Sequence, residues 1–381
     1  MFDLTSDNSL STDSWDYVSS GNNTTLDVSQ GLQKFGTHGN NTIFFKYPAE
    51  LMDFAASIFI IFAVVGVFGN LVSILALSKC RKLRNATTAF IVNLCVADLL
   101  FCSFSMPLSA LTFLERDWNY GEALCKLFPL VRYSNGAVSL FSVIAITINR
   151  YILIVHPKMY REMYKPRNIG IMIAIMWIAA LMLLFFPLFE VWGRLGYDSK
   201  VGTCTILKMN GSSPKMTLYI IAFGLPSVVF LVCYSRIFWV VHQAAKRVRK
   251  TSPDYSTISD LVTFSAKKGV FWRNYRHSEM NKEKVTLWRN KQELKVLKLM
   301  MVIFITFILC YFPVTFVKIF KKEDDLPILN VIGYMGVYFS NIINPVIYIV
   351  MSIEYRKAYI ELFCPSLKKN TPTNTNSSSG I

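Results

Sequence analysis

Arg150 is the residue with the clearest chemical task, because it closes the apolar run from Ser139 to Ile148 with a charge. A hydrocarbon environment tolerates such a charge only where it faces a partner or a water-filled space. Asp98 lies inside another apolar run and has the same requirement. A guanidinium and a carboxylate inside a helix bundle need ionic or hydrogen-bonding partners. These two residues therefore indicate a functional site inside the membrane.

Arg132 indicates a second kind of chemistry, the recognition of an anion. It precedes Arg150 by 18 residues, which is five helical turns, so the two side chains share one helix face at opposite ends. A guanidinium binds a carboxylate or phosphate through two parallel hydrogen bonds, and Lys318 can assist from another run. The alternatives are that Arg132 reaches the membrane surface or pairs internally. The candidate internal partners are Glu115, Glu190 and Asp53.

Seven apolar runs are long enough to position these side chains. A helix needs about 20 residues to cross the hydrocarbon core, and 53% of the 381 residues are hydrophobic while 17% are charged. The sequence therefore predicts an all-α membrane protein with a seven-helix bundle. The predicted spans lie at about 52–79, 86–113, 121–155, 167–190, 214–243, 291–320 and 326–351.

The distribution of basic residues predicts the orientation. A net charge of +16 is typical of a nucleic-acid partner in a soluble chain, but here the Lys and Arg residues cluster between apolar runs. We therefore expect no nucleic-acid partner. Basic connections face the cytoplasm, so we expect a multi-pass plasma-membrane protein with its N-terminus outside the cell and its C-terminus in the cytoplasm.

These patterns divide the chain into four parts. We expect an extracellular segment at 1–51 and a membrane domain at 52–351, with a cytoplasmic third loop at about 244–290. Apolar residues at one helical face predict an amphipathic membrane-surface helix at 352–364. The polar residues 365–381 predict a disordered cytoplasmic tail.

Three kinds of covalent modification follow from this topology. Cys125 and Cys204 lie on the outer, oxidising side, whereas most of the eight cysteines lie in or near apolar runs, so we expect a Cys125–Cys204 disulfide. Cys364 is a candidate for palmitoylation, with a free thiol as the alternative. Acceptor triplets predict glycosylation of the outer segment at Asn22, Asn23 and Asn40.

A set of short motifs occurs in a fixed order, one set in each span. They are Gly69-Asn70, Leu94–Asp98, Asn149-Arg150-Tyr151, Trp177, Pro226 with Tyr234, Cys310–Pro313 and Asn344–Tyr348.

Together these motifs make the chain resemble a rhodopsin-like G-protein-coupled receptor, from the first span to the short helix after the seventh. The Asn-Arg-Tyr triplet and the stretches Trp192–Tyr197 and Gly202–Cys204 are similar to the melatonin-receptor-like branch, which here includes the insect moody and trapped-in-endoderm group. The resemblance implies a signalling receptor and not an enzyme. It also implies a heterotrimeric G protein, an extracellular ligand and the lipid bilayer as partners.

The resemblance assigns a coupling switch to the inner end of the bundle. Glu293 lies twenty residues before Pro313 and matches the family position that pairs with Arg150 in the resting state. Asn149 replaces the usual Asp and cannot neutralise Arg150, so we expect raised basal activity. The residues assigned to coupling and activation are Asn149, Arg150, Tyr151, Tyr234, Glu293, Asn344, Pro345 and Tyr348.

The resemblance also assigns a connector between the ligand pocket and this switch. Tyr311 replaces the Trp that is usual at the pocket floor. Without the resemblance, these residues would be interpreted as core packing. The connector residues are Leu140, Pro226, Phe307, Tyr311 and Pro313, and the pocket residues are Arg132, Tyr311 and Lys318.

A polar cluster around Asp98 is a candidate sodium site. Its oxygen-rich side chains are expected at similar depths of the second, third and seventh spans. A sodium ion there would be allosteric and not a required cofactor; the alternative is a hydrated polar network without a specific ion. The candidate residues are Asp98, Asn135, Ser139, Asn341 and Asn344.

Taken together, the residues predict a receptor for an anionic or lipid-like small molecule. The alternatives are a peptide receptor of the same fold and, in a different class, a membrane transporter, although the chain lacks the internal repeat expected of a transporter. The resembled branch suggests Gi/Go coupling and roles in cell migration or barrier formation. Ser and Thr residues in the third loop and tail are candidate sites for a receptor kinase and arrestin.

Overall fold

The computed structural model describes residues 48–198, 202–211, 214–251, 297–320 and 326–363. Within these residues, seven helices are long and apolar enough to cross a membrane. The predicted all-α, seven-helix fold is therefore confirmed.

The described elements are helices, apart from one antiparallel hairpin. A 3-10 turn at Arg81–Leu83 joins the first two helices, and a π-helical turn at Phe101–Ser105 joins α2 to α3 within the second span. The elements are α1 (Ala49–Lys79), α2 (Ala86–Leu100), α3 (Met106–Glu115), α4 (Gly121–Val155), α5 (Pro157–Met163), α6 (Pro166–Leu188), β1 (Arg194–Asp198), β2 (Thr203–Leu207), α7 (Pro214–Thr251), α8 (Leu297–Ile319), α9 (Pro327–Met351) and α10 (Ile353–Phe363).

Local sequence signals explain several helix ends. The Asn85 side chain accepts a hydrogen bond of 3.0 Å from the backbone N–H of Thr88, which caps the start of α2. Proline occupies the first turn of α6 and α9, where its missing N–H costs no helical hydrogen bond. The second span ends at Glu115, two residues beyond the predicted end, and Arg116 follows it with a left-handed φ of 55°.

Helix α7 continues beyond its apolar span. The span ends at Gln243, as predicted, and the helix continues to Thr251, within the predicted third loop. The additional residues are mainly Ala, Lys and Arg, which have high helix propensity and allow the helix to extend beyond the apolar span.

The hairpin covers one end of the bundle. Strands β1 and β2 pair in antiparallel register with Tyr197 opposite Cys204. The predicted disulfide is confirmed: Cys204 bonds to Cys125 at the start of α4, with 5.2 Å between their Cα atoms. We call this end the outer end, and the end that holds Arg150 the inner end.

The outer halves of α8 and α9 approach each other closely. A Cβ atom at Gly336 would lie 2.6 Å from the carbonyl oxygen of Cys310, and one at Gly333 would lie 2.7 Å from the backbone nitrogen of Val314. Because glycine has no side chain, these two positions allow direct backbone contact between the helices.

The short helix after the seventh span is also confirmed. Helix α10 packs against α1 and α9 through the buried residues Tyr355, Ala358 and Tyr359. The hydroxyl groups of Tyr359 and Ser73 are hydrogen bonded at 2.6 Å. Burial raises the pKa of Tyr359, which keeps its phenol neutral and suited to this contact.

Candidate functional sites

A cavity of about 320 Å³ lies among α4, α6, α7, α8 and α9. Most of its wall is apolar, and no aspartate or glutamate is among the described residues that line it. Arg132, Leu140, Phe307 and Tyr311 contribute to the wall. Of the predicted pocket residues, Arg132 and Tyr311 line this cavity, whereas Lys318 is buried and is not among the described lining residues.

Aromatic rings surround the guanidinium of Arg132. Its Cζ atom lies 5.2 Å from the ring centre of Tyr334, 5.4 Å from that of Tyr338 and 5.8 Å from that of Phe128. The ammonium of Lys318 lies 5.6 Å from the Tyr334 ring centre. Cations are attracted to aromatic faces at these distances. The structure thus brings Arg132 and Lys318 to the same ring.

The acidic residues considered as partners of Arg132 have other neighbours. Asp53 forms an ion pair with Arg116 at 3.3 Å. Glu115 accepts hydrogen bonds from Asn119 at 3.0 Å and from Tyr120 at 2.5 Å. Glu190 begins the connection after α6 with a φ of 57° and acts electrostatically on Lys126.

Within the described residues, Arg132 therefore contacts rings and no carboxylate.

The hydroxyl of Tyr120 illustrates the local effect of Glu115. Burial and the hydrogen bond to this carboxylate raise the pKa of Tyr120 to about 12, because both disfavour a phenolate.

Asp98 is buried at the centre of a polar network, with 1% of its surface exposed. Its Oδ1 accepts a hydrogen bond of 2.9 Å from Ser139, and its Oδ2 accepts one of 2.8 Å from Asn344. Asn70 extends the network by donating to the carbonyl oxygen of Asn341 at 3.0 Å. These bonds join the first, second, third and seventh spans.

A small cavity of about 30 Å³ adjoins Asp98. A water molecule needs roughly 10–15 Å³ of such space, so the cavity has room for one or two waters or a small cation. Ser139, Asn341 and Asn344 line it, and their oxygen atoms suit a hard cation. Asn135 is buried but is not among the described residues that line this cavity.

The two cavities share part of their walls. Leu140, Phe307 and Tyr311 line both, and the rings of Phe307 and Tyr311 stack at 4.4 Å. Of the other connector residues, Pro226 is buried on α7 and Pro313 is half-buried on α8. Three of the five connector residues thus lie between the large cavity and Asp98.

At the inner end, Arg150 is 7% exposed and Asn149 is fully buried. Thr87 donates a hydrogen bond of 2.7 Å to the side-chain oxygen of Asn149. Tyr164 also lies beside Asn149. Burial raises the pKa of Tyr164 to about 12, although the hydrogen bond between Tyr164 and Asn149 partly opposes the shift. Tyr151 has its hydroxyl 3.4 Å from the Nε2 atom of His156.

Two tyrosines of the predicted switch lie near this end. The Tyr234 hydroxyl donates to the carbonyl oxygen of Leu297 at 3.3 Å and interacts electrostatically with Arg150. Tyr348 is fully buried, with its ring 6.1 Å from that of Tyr355. Thus Tyr234 links α7 to α8, whereas Tyr348 links α9 to α10.

Several predicted sites lie outside the described residues. The Arg150–Glu293 ion pair is one of them, because Glu293 lies outside the described residues. So are the glycosylation and palmitoylation sites, namely Asn22, Asn23, Asn40 and Cys364.

The rings around Arg132 and the partner of Asn149 were not predicted from the sequence. Tyr334 and Tyr338 are four residues apart, and this spacing places them on one helix face. That spacing was a usable signal for Tyr334 and Tyr338. No comparable signal connects Thr87 with Asn149, because their contact depends on how α2 packs against α4.

Seven spans, an outer disulfide, a largely apolar cavity and a buried arginine at the opposite end define a seven-transmembrane receptor. The family model of 7-transmembrane receptors of the rhodopsin family matches residues 69–348. The chain therefore belongs to the rhodopsin family of G-protein-coupled receptors, as its motifs predicted. This family consists of receptors and not of enzymes, and its members are multi-pass plasma-membrane proteins.

Its relatives agree with this placement. The chain is 36% identical to the G-protein-coupled receptor moody of Drosophila pseudoobscura pseudoobscura, over 84% of this chain and 53% of that protein. It is 38% identical to trapped in endoderm-1 of Drosophila melanogaster, over 83% of this chain and 79% of that protein. It is 30% identical to melatonin receptor type 1B-B of Danio rerio, over 83% of each chain. The chain spans about half the length of the moody receptors it matches.

A solved structure supports the fold independently. The chain superposes on squid rhodopsin with a TM-score of 0.67 and 20% identity, covering 88% of this chain and 94% of the rhodopsin chain. At this identity the likeness concerns the fold alone.

Proposed function

We propose that this receptor binds an anionic or lipid-like small molecule in the large cavity and activates a heterotrimeric G protein of the Gi/Go class. The observation that carries the proposal is Arg132, a permanent cation in an otherwise mainly apolar wall. Such a wall favours a ligand with a substantial apolar part and one charged group. The guanidinium determines the sign of that charge.

The relatives provide a useful contrast. The melatonin receptors among them are named for melatonin, which carries no carboxylate or phosphate. Arg132 and Lys318 favour a different ligand chemistry in this chain. An amine ligand is also disfavoured, because its ammonium would meet Arg132 and, among the described lining residues, no carboxylate.

Replacing Arg132 with alanine is expected to reduce the potency of fatty-acid or lysophospholipid agonists by about tenfold to a hundredfold. This is the effect of losing a hydrogen bond to a charged group, about 1.5–3 kcal/mol. G-protein dissociation should be measured over a panel of these lipids at matched surface expression. Arg194→Ala is the control, because it removes an exposed outer arginine from β1. An unchanged lipid response in Arg132→Ala would assign this arginine a purely structural role.

The switch proposal concerns the inner end. In the resting state an ion pair between Arg150 and Glu293 would hold the third and sixth spans together. Activation would break this pair and move α8 outward about Pro313, where the missing N–H weakens the helix. The opened crevice would accept the C-terminal helix of a Gα subunit. The burial of Arg150 and its proximity to Tyr234 on α7 support this proposal.

Asn149→Asp is expected to lower basal G-protein activation roughly fivefold. An aspartate retains an acceptor for Thr87 but adds a negative charge next to Arg150, which favours the resting state. A gain of about 1 kcal/mol in that state changes its population ratio by this amount. Basal nucleotide exchange should be compared at equal surface expression, with Asn149→Ala included to separate the charge from the hydrogen bond. Equal basal activity in wild type and Asn149→Asp would refute the hypothesis.

We extend the proposal to a sodium ion near Asp98 that stabilises the resting state. Asp98, Ser139, Asn341 and Asn344 would hold it through oxygen atoms, and the 30 Å³ cavity that they line supports this assignment. The ion would supply positive charge beside a buried carboxylate.

Further proposals rest on the sequence. We propose a receptor kinase and arrestin as regulators, glycosylation of the outer segment and palmitoylation of Cys364. The relation to moody and trapped in endoderm-1 favours a role in barrier formation or cell migration.

A further inference from the structure

Gly136 leaves an open space in the wall of the large cavity. It lies in the middle of α4 and is one of the residues that line the cavity. A Cβ atom at this position would meet nothing within 4 Å outside its own stretch of α4. The space beside Gly136 can therefore hold either a larger side chain or part of a ligand.

Helix packing does not account for this glycine. A glycine inside a membrane helix usually allows another helix to approach closely. Gly333 and Gly336 do so, since added Cβ atoms there would lie 2.7 Å and 2.6 Å from the backbone of α8. Gly136 has no such neighbour among the described residues, and its backbone is helical, a conformation that alanine adopts more readily than glycine. A side chain at position 136 would therefore fit the ligand-free receptor and favour the helix.

The position of Gly136 relative to Arg132 indicates what occupies the space. Arg132, Gly136 and Leu140 follow one another at intervals of four residues, and all three line the cavity. This spacing places them on one face of α4, with about 6 Å along the helix axis from each to the next. A ligand whose charged group lies at Arg132 and whose remainder extends inward must therefore pass directly over Gly136.

We propose that Gly136 is a specificity-determining residue, because the space left by its missing side chain receives the apolar chain of a ligand whose anionic group lies at Arg132. This inference rests on the proposed function and specifies the shape of its ligand. Beyond Gly136 the chain lies against Leu140, Phe141 and Phe307, which are apolar and line the cavity. Each further methylene group buried against these side chains favours binding.

Direct binding to the full chain in lipid nanodiscs tests this role, with empty nanodiscs as the correction for partitioning into lipid. The probes are hexanoate, decanoate and tetradecanoate, together with the alkyl phosphates of the same three chain lengths. The affinity of the wild type should increase at least tenfold from the shortest to the longest chain, because the longer chains extend past Gly136 into the apolar part of the cavity.

Gly136→Leu should bind the longest chain at least tenfold more weakly than the wild type does, because the leucine side chain occupies the path of the ligand. Its affinity for hexanoate should change less than threefold, since this short chain ends near position 136. The dependence of affinity on chain length should therefore be lost. A purely structural role of Gly136 would change all chain lengths alike.

Two further variants separate binding from stability. Gly136→Ala fills the space in part, so it should weaken binding of the longest chain by about threefold. Without ligand its melting temperature should equal or exceed that of the wild type. If Gly136→Leu does not fold, this combination of weaker binding and undiminished stability decides the question.

Gly170→Leu is the matched control. Gly170 is an exposed residue of α6, a Cβ atom there would also meet nothing within 4 Å, and it is not among the described residues that line the cavity. This variant should keep the wild-type affinities for all probes.

The outcomes separate this inference from the proposed function. An unchanged dependence on chain length in a folded Gly136→Leu receptor would overturn the role of Gly136 and leave the anionic-ligand proposal standing. Loss of long-chain binding in Gly136→Leu, together with unchanged binding in Arg132→Ala, would support the chain site and overturn the anion site. Failure of both probe series to bind the wild type would overturn both.

Discussion

Gly336→Ala is expected to destabilise the receptor and to lower its melting temperature in detergent. The new Cβ atom would lie 2.6 Å from the carbonyl oxygen of Cys310, which is backbone of α8 and cannot rotate away as a side chain could. Helices α8 and α9 would have to separate. Overpacking of this kind costs about 1–3 kcal/mol.

The chain contains a matched control for this change. Gly224 lies within α7, and a Cβ atom there would meet nothing within 4 Å. Gly224→Ala should leave the melting temperature unchanged or raise it slightly, since alanine is the better helix former by up to about 1 kcal/mol. Equal melting temperatures for Gly336→Ala and wild type would show that the two backbones tolerate separation.

The α8–α9 contact also bears on signalling. Cys310 precedes Tyr311, which lines both the large cavity and the cavity beside Asp98. The backbone contact at Gly336 therefore fixes the outer half of α8 just where the two cavities meet. In the proposed activation step, this fixed outer half is the part about which the inner end of α8 would move.

The sequence was sufficient for the spans and for the pairing of Cys125 with Cys204. Both depend on one-dimensional properties: long apolar runs require a bilayer, and two cysteines on the oxidising side have few alternatives. The extension of α7 to Thr251 was missed because our boundary followed hydropathy, whereas the helix follows propensity.

The contacts within the candidate sites could be predicted from the sequence only in part. Ser139 and Asn344 bond to Asp98, as their depths suggested, but Asn135 lies one turn further out and does not line the cavity. One helical turn is about 5.4 Å, which is more than a hydrogen bond can span. Depth along a helix can be counted from sequence, whereas the contact itself depends on the rotation and tilt of neighbouring helices.

The contacts of Arg132 in the large cavity could likewise be predicted only in part. Counting turns placed Arg132 near the outer end, facing inward. It could not place Tyr334 beside Arg132, because this ring reaches it from another helix. The contact of the guanidinium with the Tyr334 ring is therefore a tertiary feature.

Arg150→Ala is expected to abolish G-protein activation while leaving the receptor folded and at the cell surface. Arg150 is the buried cation of the inner end, and it interacts electrostatically with Tyr234 and Tyr355. Without it, the proposed crevice loses the cation that would be released from Glu293 on activation. Basal dissociation of a panel of Gα subtypes, measured at matched surface expression, gives the effect and identifies the transducer.

Two comparisons separate coupling from stability in this experiment. Arg81→Ala removes an exposed arginine from the turn between α1 and α2, so it changes the same net charge and should retain the signal. Ligand binding provides the second comparison, because Arg132 lies 18 residues from Arg150, or roughly 27 Å along the helix. Arg150→Ala should therefore lose nucleotide exchange and retain lipid binding.

Each result has a definite meaning for the switch. A signal with one Gα subtype that disappears in Arg150→Ala but persists in Arg81→Ala places Arg150 in the coupling step. A signal that persists in Arg150→Ala would make this buried arginine a structural residue. If the wild type gives no basal signal despite good surface expression, Asn149 does not raise basal activity, because the resting state would then be stable without a carboxylate at position 149.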